Sequence, residues 1–253
     1  MAESEFMRTA LEAARAAADI IRHYYRGQLD ITLKADHTPV TQADVEAEQA
    51  IRDIITGRFA DHGFFGEETG AQEIDREYLW LVDPIDGTKS FIRRYPFFST
   101  QIALMKDGEL VLGVSSAPEF DEIAWAEKGS GAWLNDERIE ITHIEAIDRA
   151  SISTGNLATL ANSTRWEQFG RIVAQANRIR GYGDFYHYHL LAAGKIDAVI
   201  ESDVNILDIA ALAVIVREAG GVFTDLYGRP LDLDTTSVLA ANSSLHATLL
   251  EML

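Results

Sequence analysis

The chain has 253 residues, 47% of them hydrophobic, enough for one large domain or two small ones around an ordinary core. It contains no cysteine, which excludes disulfides, thiolate catalysis and cysteine-held metals. A formal charge of −18, from 22 basic and 40 acidic residues, argues against a nucleic-acid surface, and any site that handles phosphate must offset this repulsive field locally.

No signal-like segment opens the chain and no apolar run is long enough to span a bilayer, so a cytoplasmic protein without membrane contact is expected. Residues 3–26 are alanine-rich. Phe6, Ala10, Leu11, Ala14, Ala17, Ile21 and Tyr24 recur at helical spacing, and Gly27 is a natural stop. Ile31 to Lys34 reads as a short strand. Thr41 precedes a helical pattern (Val45, Glu48, Ile51, Ile54, Ile55), with Asp44 placed to close a capping box. Gly63 to Gly66 reads as a buried strand that delivers Glu67 and Glu68. Adjacent strand residues face opposite ways, so one of the two acids points inward. Residues 71–77 are polar and read as a loop.

Leu79 to Val82 is an apolar run that predicts a buried strand, ending at Asp83-Pro84 or just after, because proline donates nothing to a ladder. Asp86 follows, and Gly87-Thr88-Lys89-Ser90 reads as a helix start with free backbone N–H groups. Residues 97–104 and 110–115 are two strands joined by an Asp107-Gly108 turn. Residues 123–126 and 132–134 form a hairpin around Gly129-Ser130-Gly131. Near residue 145 the pattern changes. Strands at 151–154, 179–184, 196–200, 222–224 and 238–241 then alternate with helices at 164–177, 186–193, 206–219 and 245–253. Residues 1–145 are therefore expected to form an α+β half with most of the acids. Residues 146–253 are expected to form an α/β half, the two making one compact unit with the site between them.

Asp83 and Asp86 bring two carboxylates to a strand end beside a set of amide donors. Carboxylates hold a divalent cation and a helix N-terminus holds an oxyanion, the layout of a metal-assisted phosphate ester hydrolase. The run Asp83-Pro84-Ile85-Asp86-Gly87-Thr88 resembles the signature of the inositol monophosphatase family, the magnesium-dependent, lithium-sensitive phosphatases. Upstream, Lys34, Asp36, Val40-Thr41 and Asp44 resemble that family's early motif. Downstream, Asp208 and Glu218-Ala219-Gly220-Gly221 match, although Leu207 stands where the family usually has tryptophan.

The resemblance implies a layered αβαβα sandwich and a homodimer. It implies two or three magnesium ions held by Glu67, Asp83, the Ile85 carbonyl, Asp86 and Asp208; ligands without His or Cys do not suit zinc. It further implies that Glu67 helps hold the ion that activates a water. Thr88 and Asp44 would position that water for in-line attack without a phosphoenzyme. Asp86, Gly87, Thr88, Gly183, Asp184, Glu201 and Asp208 would meet the substrate.

Plainer readings stand beside these. Asp44 is also a capping acid, Asp208 an acid complementing a helix dipole, Asp184 an N-cap, and Glu201 an exposed strand-end acid. His187 and His189 read as surface or packing residues rather than ligands. Thr88-Lys89-Ser90-Phe91 and the Gly183-Asp184 pair resemble the histidinol-phosphate phosphatase branch, so a small phosphorylated metabolite, L-histidinol phosphate, is the expected substrate. Inositol 1-phosphate and a 3′(2′),5′-bisphosphate nucleotide are the alternatives, and a non-catalytic, metal-stabilised regulatory protein is the alternative of another class.

Overall fold

A computed structural model describes residues 4–27, 31–33 and 39–253. Lys34 and Asp36 of the early motif lie outside the described residues. Helix α1 (Glu5–Arg26) starts where Ser4 Oγ accepts Met7 N–H at 3.0 Å, and it buries Ala10, Leu11, Ala14, Ala17 and Ile21 as the periodicity predicts, and Met7 besides, while Phe6 and Tyr24 are half-buried. Strands β1 (Ile31–Leu33) and β2 (Pro39–Thr41) pair antiparallel and lead into α2 (Gln42–Arg58).

An eight-stranded sheet follows. Its strands are β3 (Gly63–Gly66), β4 (Gly70–Gln72), β5 (Tyr78–Asp86), β6 (Ser99–Lys106), β7 (Glu109–Ala117), β8 (Glu122–Glu127), β9 (Ala132–Leu134) and β10 (Glu137–Ile139), with helix α3 (Thr88–Ile92) after β5. The spatial order is β10-β9-β8-β7-β6-β5-β3-β4; β3 and β5 run parallel and the other neighbours antiparallel.

The second half contributes β11 (Ser151–Thr154), α4 (Ala158–Ala161), α5 (Trp166–Gln175), β12 (Arg178–Arg180), α6 (Asp184–Ala192), β13 (Ala198–Ser202), α7 (Ile206–Glu218), β14 (Val222–Thr224), β15 (Ser237–Ala241) and α8 (Ser243–Met252). Its sheet runs β12-β11-β13-β15-β14 and is mixed: β11 is parallel to both neighbours, while β15 runs against both of its own.

Strand alternation sets the layers. Trp80 and Val82 of β5 face α1 and α2, whereas Leu79 and Leu81 face α6 and α7. In the smaller sheet, Val199, Val238 and Ala240 face α6 and α7 from the other side, and Ala198, Ile200, Leu239 and Ala241 face α5 and α8. The result is the expected αβαβα sandwich, with α6 and α7 as its central layer. Residues 209–216 of α7 are apolar on every face, as a helix packed between two sheets must be.

Strand β5 ends just after Pro84, at Asp86. The register shifts between Asp83 and Asp86, so the proline sits in a bulge, and its carbonyl accepts Thr100 Oγ1–H at 2.9 Å. Residues 71 and 72, read as loop, instead belong to an edge strand, Gly70–Gln72, paired with β3. Helix α5 is shorter than 164–177, and Trp166 and Val173 of its supposed apolar face are exposed, leaving Phe169 and Ile172 as its buried anchors. Among the described residues no helix is long and apolar enough to cross a membrane.

Candidate active site

The bulge in β5 turns its last acids toward α7. Asp83 Oδ1 accepts the Ile85 N–H at 2.9 Å, which fixes the carboxylate against its own turn. Gly87 then adopts φ 92°, and a Cβ there would lie 2.6 Å from the Phe97 carbonyl oxygen, so only glycine fits. Helix α3 begins immediately after. The Thr88 hydroxyl lies 3.1 Å from the Ile85 carbonyl oxygen and 3.4 Å from Asp44 Oδ1. Asp44 itself is buried and closes the capping box of α2: its Oδ2 accepts the Thr41 N–H at 2.7 Å and the Thr41 hydroxyl at 2.6 Å. Capping and contact with Thr88 therefore use different oxygens of one carboxylate.

Asp208 reaches the same place from α7. It caps that helix, taking the Asn205 N–H at 2.9 Å and Asn205 Nδ2–H at 2.6 Å. Asp83, Asp86 and Asp208 each offer an oxygen, all within 4.8 Å of one another. Glu67 follows β3, its N–H donating to the Val82 carbonyl at 3.1 Å. The turn that bears it is gripped by Glu48, a buried acid of α2 that accepts the Glu68 and Thr69 N–H groups at 2.8 Å each.

The electrostatics of this cluster are unfavourable without a cation. Burial, then Glu67, Asp86 and Asp208, push Asp83 well above the usual carboxylate range. Burial, then Asp208 and Asp184, do the same to Asp86. Burial raises Asp208 to about 7 despite its bonds to Asn205. Burial raises Asp44 as well, against the lowering effect of Thr41. Hard oxygen donors packed this closely, with ionisation this costly, fit a divalent cation of the magnesium type.

Asp184 and Glu201 extend the acidic surface. A small cavity is lined by Asp86, Asn156, Asp184, Tyr188, Glu201 and Asp208, with Val204, Ile209 and Leu212 as its apolar wall. Burial and Glu201 raise Asp184 to about 6. Asp184 is not the N-cap of α6: Gly183 holds that position, and Asp184 is the first helical residue at φ 45°. Glu201 is not an exposed strand-end acid either, being 2% exposed. Burial alone would raise its pKa, but His187, Tyr188 and the Asn156 N–H together hold it below the ordinary value.

The sequence pattern of the inositol monophosphatase family matches residues 2–253. The chain belongs to that family. It is 34% identical over 245 residues to a histidinol-phosphatase of Chlorobaculum parvum, covering 96% of this chain and 95% of that one. It is 34% identical over 254 residues to an inositol-1-monophosphatase of Caulobacter vibrioides, covering 96% and 98%. Among solved structures, the extragenic suppressor protein suhB of Bartonella henselae superposes with a TM-score of 0.90 at 31% identity, covering 98% of each chain. The chain is thus a phosphatase of the inositol monophosphatase family.

In this member of the family, Asp83, Asp86 and Asp208 come together as the motif implies. Glu67 lies close enough to Asp83 to raise its pKa, and Thr88 meets Asp44. Of the two plain readings of His187 and His189, packing holds and surface does not: both are buried and hydrogen-bonded. Sequence reasoning missed Glu48, Asn156, Tyr188 and Asn205 as supports of the site. Glu48 left a signal, a charged residue in the apolar stripe of α2; Tyr188 left none, because its hydroxyl finds Glu201 only across the packed layers.

Proposed function

We propose that this phosphatase hydrolyses L-histidinol phosphate with magnesium as its resident ion. Glu67, Asp83, the Ile85 carbonyl, Asp86 and Asp208 would hold two or three ions. When bound, the metal neutralises phosphate charge and lowers the pKa of an attacking water. The chain's own residues supply orientation. Thr88, its hydroxyl between the Ile85 carbonyl and Asp44, presents a lone pair to a water, and Asp44 is fixed in turn by Thr41. The Gly87 and Thr88 N–H groups at the start of α3 are available to phosphate oxygens.

The observation that carries the substrate choice is the second acidic pair. Asp184 and Glu201 line the same cavity as Asp86 and Asp208, and the described residues lining it include no lysine or arginine. Such a wall suits an ester whose far end carries an amine and an imidazole. The similarity to a histidinol-phosphatase supports this reading. A second reading, inositol 1-phosphate, is favoured by the similarity to an inositol-1-monophosphatase, since Glu201 would also accept bonds from hydroxyl groups.

The test is phosphate release with magnesium from histidinol phosphate, inositol 1-phosphate, adenosine 3′,5′-bisphosphate and fructose 1,6-bisphosphate, compared by kcat/KM. Histidinol phosphate is expected to lead by orders of magnitude, with turnover lost on chelation. A lead for another ester overturns the substrate assignment, and release from none would favour a non-catalytic regulatory protein.

A further inference from the structure

His187 has no part in the chemistry above and does not line the cavity, yet it is fully buried behind it. Its Nε2 lies 3.1 Å from Glu201 Oε2 and its Nδ1 lies 3.2 Å from Ser153 Oγ. Ser153 Oγ also accepts the Tyr182 N–H at 3.3 Å, so the serine joins the ring to the Tyr182 backbone. The Glu201 carboxylate only accepts, so the imidazole carries a hydrogen on Nε2 and donates it there. Tyr188 donates to the same oxygen at 2.7 Å, and the Asn156 N–H reaches Oε1 at 3.2 Å. Gly155 keeps this berth open, since a Cβ there would fall 1.7 Å from Glu201 Oε1.

One ring thus ties two parts of the cavity wall together. Through Nε2 it holds Glu201 on β13. Through Ser153 it holds Tyr182, the residue two before Asp184, at the turn where Gly183 and Asp184 both take positive φ. That turn has no side-chain cap of its own. We propose that His187 is a positioning residue that locks Glu201 and the Asp184 turn into one unit and thereby sets the site's selectivity for the end of the substrate remote from the phosphate. This rests on the reading of Glu201 as the carboxylate that meets that end.

The experiment compares L-histidinol phosphate with glycerol 2-phosphate, an ester without an amine, in the magnesium-loaded full chain and its His187→Leu, His187→Gln, His187→Asn and Glu201→Gln variants. Loss of a hydrogen bond to a charged group predicts a KM for histidinol phosphate raised about tenfold in His187→Leu, with kcat within about threefold. The effect on glycerol 2-phosphate is smaller. Glutamine places a donor where Nε2 was and restores KM to within about threefold, while asparagine, which reaches only toward Ser153, does not. The His187→Leu/Glu201→Gln double variant loses no more selectivity than Glu201→Gln alone, because the two act as a unit.

Selectivity lost in Glu201→Gln but kept in His187→Leu overturns the role of His187 alone. Selectivity kept in Glu201→Gln overturns the reading of Glu201, and this inference with it. Equal loss of kcat on both esters, or rescue by asparagine as good as by glutamine, reduces His187 to a packing residue. If the leucine variant does not fold, the comparison of glutamine with asparagine decides the matter.

Discussion

Asp83 is 3% exposed and looks onto Glu67, Asp86 and Asp208. Replacing it by asparagine keeps its shape and its bond from Ile85 but removes one negative charge from a crowded set. Phosphate release is expected to fall about a thousandfold, the loss of several kcal/mol of charge stabilisation. The metal-free variant should melt no lower than the parent; a variant at the parent's rate would remove Asp83 from the metal site. At this scale the sequence was legible where acids and glycine are contiguous. Asp83, Asp86, Gly87 and Thr88 sit on one strand end and its following turn, so local geometry suffices. It was illegible at His187, His189 and Glu201, whose partners lie between 13 and 74 positions away in the chain. An isolated polar residue in a helix reads as exposed until the layers that enclose it are known.

At the scale of elements, α7 and β7 meet with almost no room between them. A Cβ at Gly113 would lie 2.3 Å from the Ala211 carbonyl oxygen and 2.8 Å from its Cα. Ala211 is three residues beyond Asp208, so Gly113→Ala must push the start of α7 away from β5. Overpacking of this kind costs about 1–3 kcal/mol or more. Urea unfolding should register that cost, and calorimetric titration with magnesium should show weakened binding. Unchanged metal affinity would mean that Asp208 is placed independently of the helix seat. Periodicity found α1, α2, α7 and most strands because their buried faces repeat at fixed intervals. It did not foresee the bulge that carries β5 past Pro84, because proline forbids a ladder donor but not a bulge, and it read residues 71 and 72 as loop, since a half-exposed edge strand demands no apolar face.

Across the whole molecule, the raised acids make stability depend on pH and metal together. Their folded pKa values lie above the ordinary aspartate value, at about 6 for Asp184 and about 7 for Asp208. Such groups favour the fold most below the unfolded value and lose that contribution as pH rises through the folded one. The chelator-treated protein should therefore melt lower at pH 8 than at pH 5. A loss of even about 2 kcal/mol would shift Tm by roughly 4–8 °C in a chain of this size. Magnesium at pH 8 should restore most of it, because the cation favours the ionised carboxylates. A metal-free Tm that is flat or rising over this range would contradict the crowding of these acids. The placement of Asp208 also bears on synthesis. Asp83 and Asp86 leave the ribosome long before the helix that carries Asp208, 122 positions beyond Asp86 in the chain. During that interval the nascent chain holds only part of this acidic cluster. A divalent cation held by Asp83, Asp86 and Asp208 together would thus reward the finished sandwich and offer little to its early intermediates, so its binding would serve as the closing step of folding and not as its template.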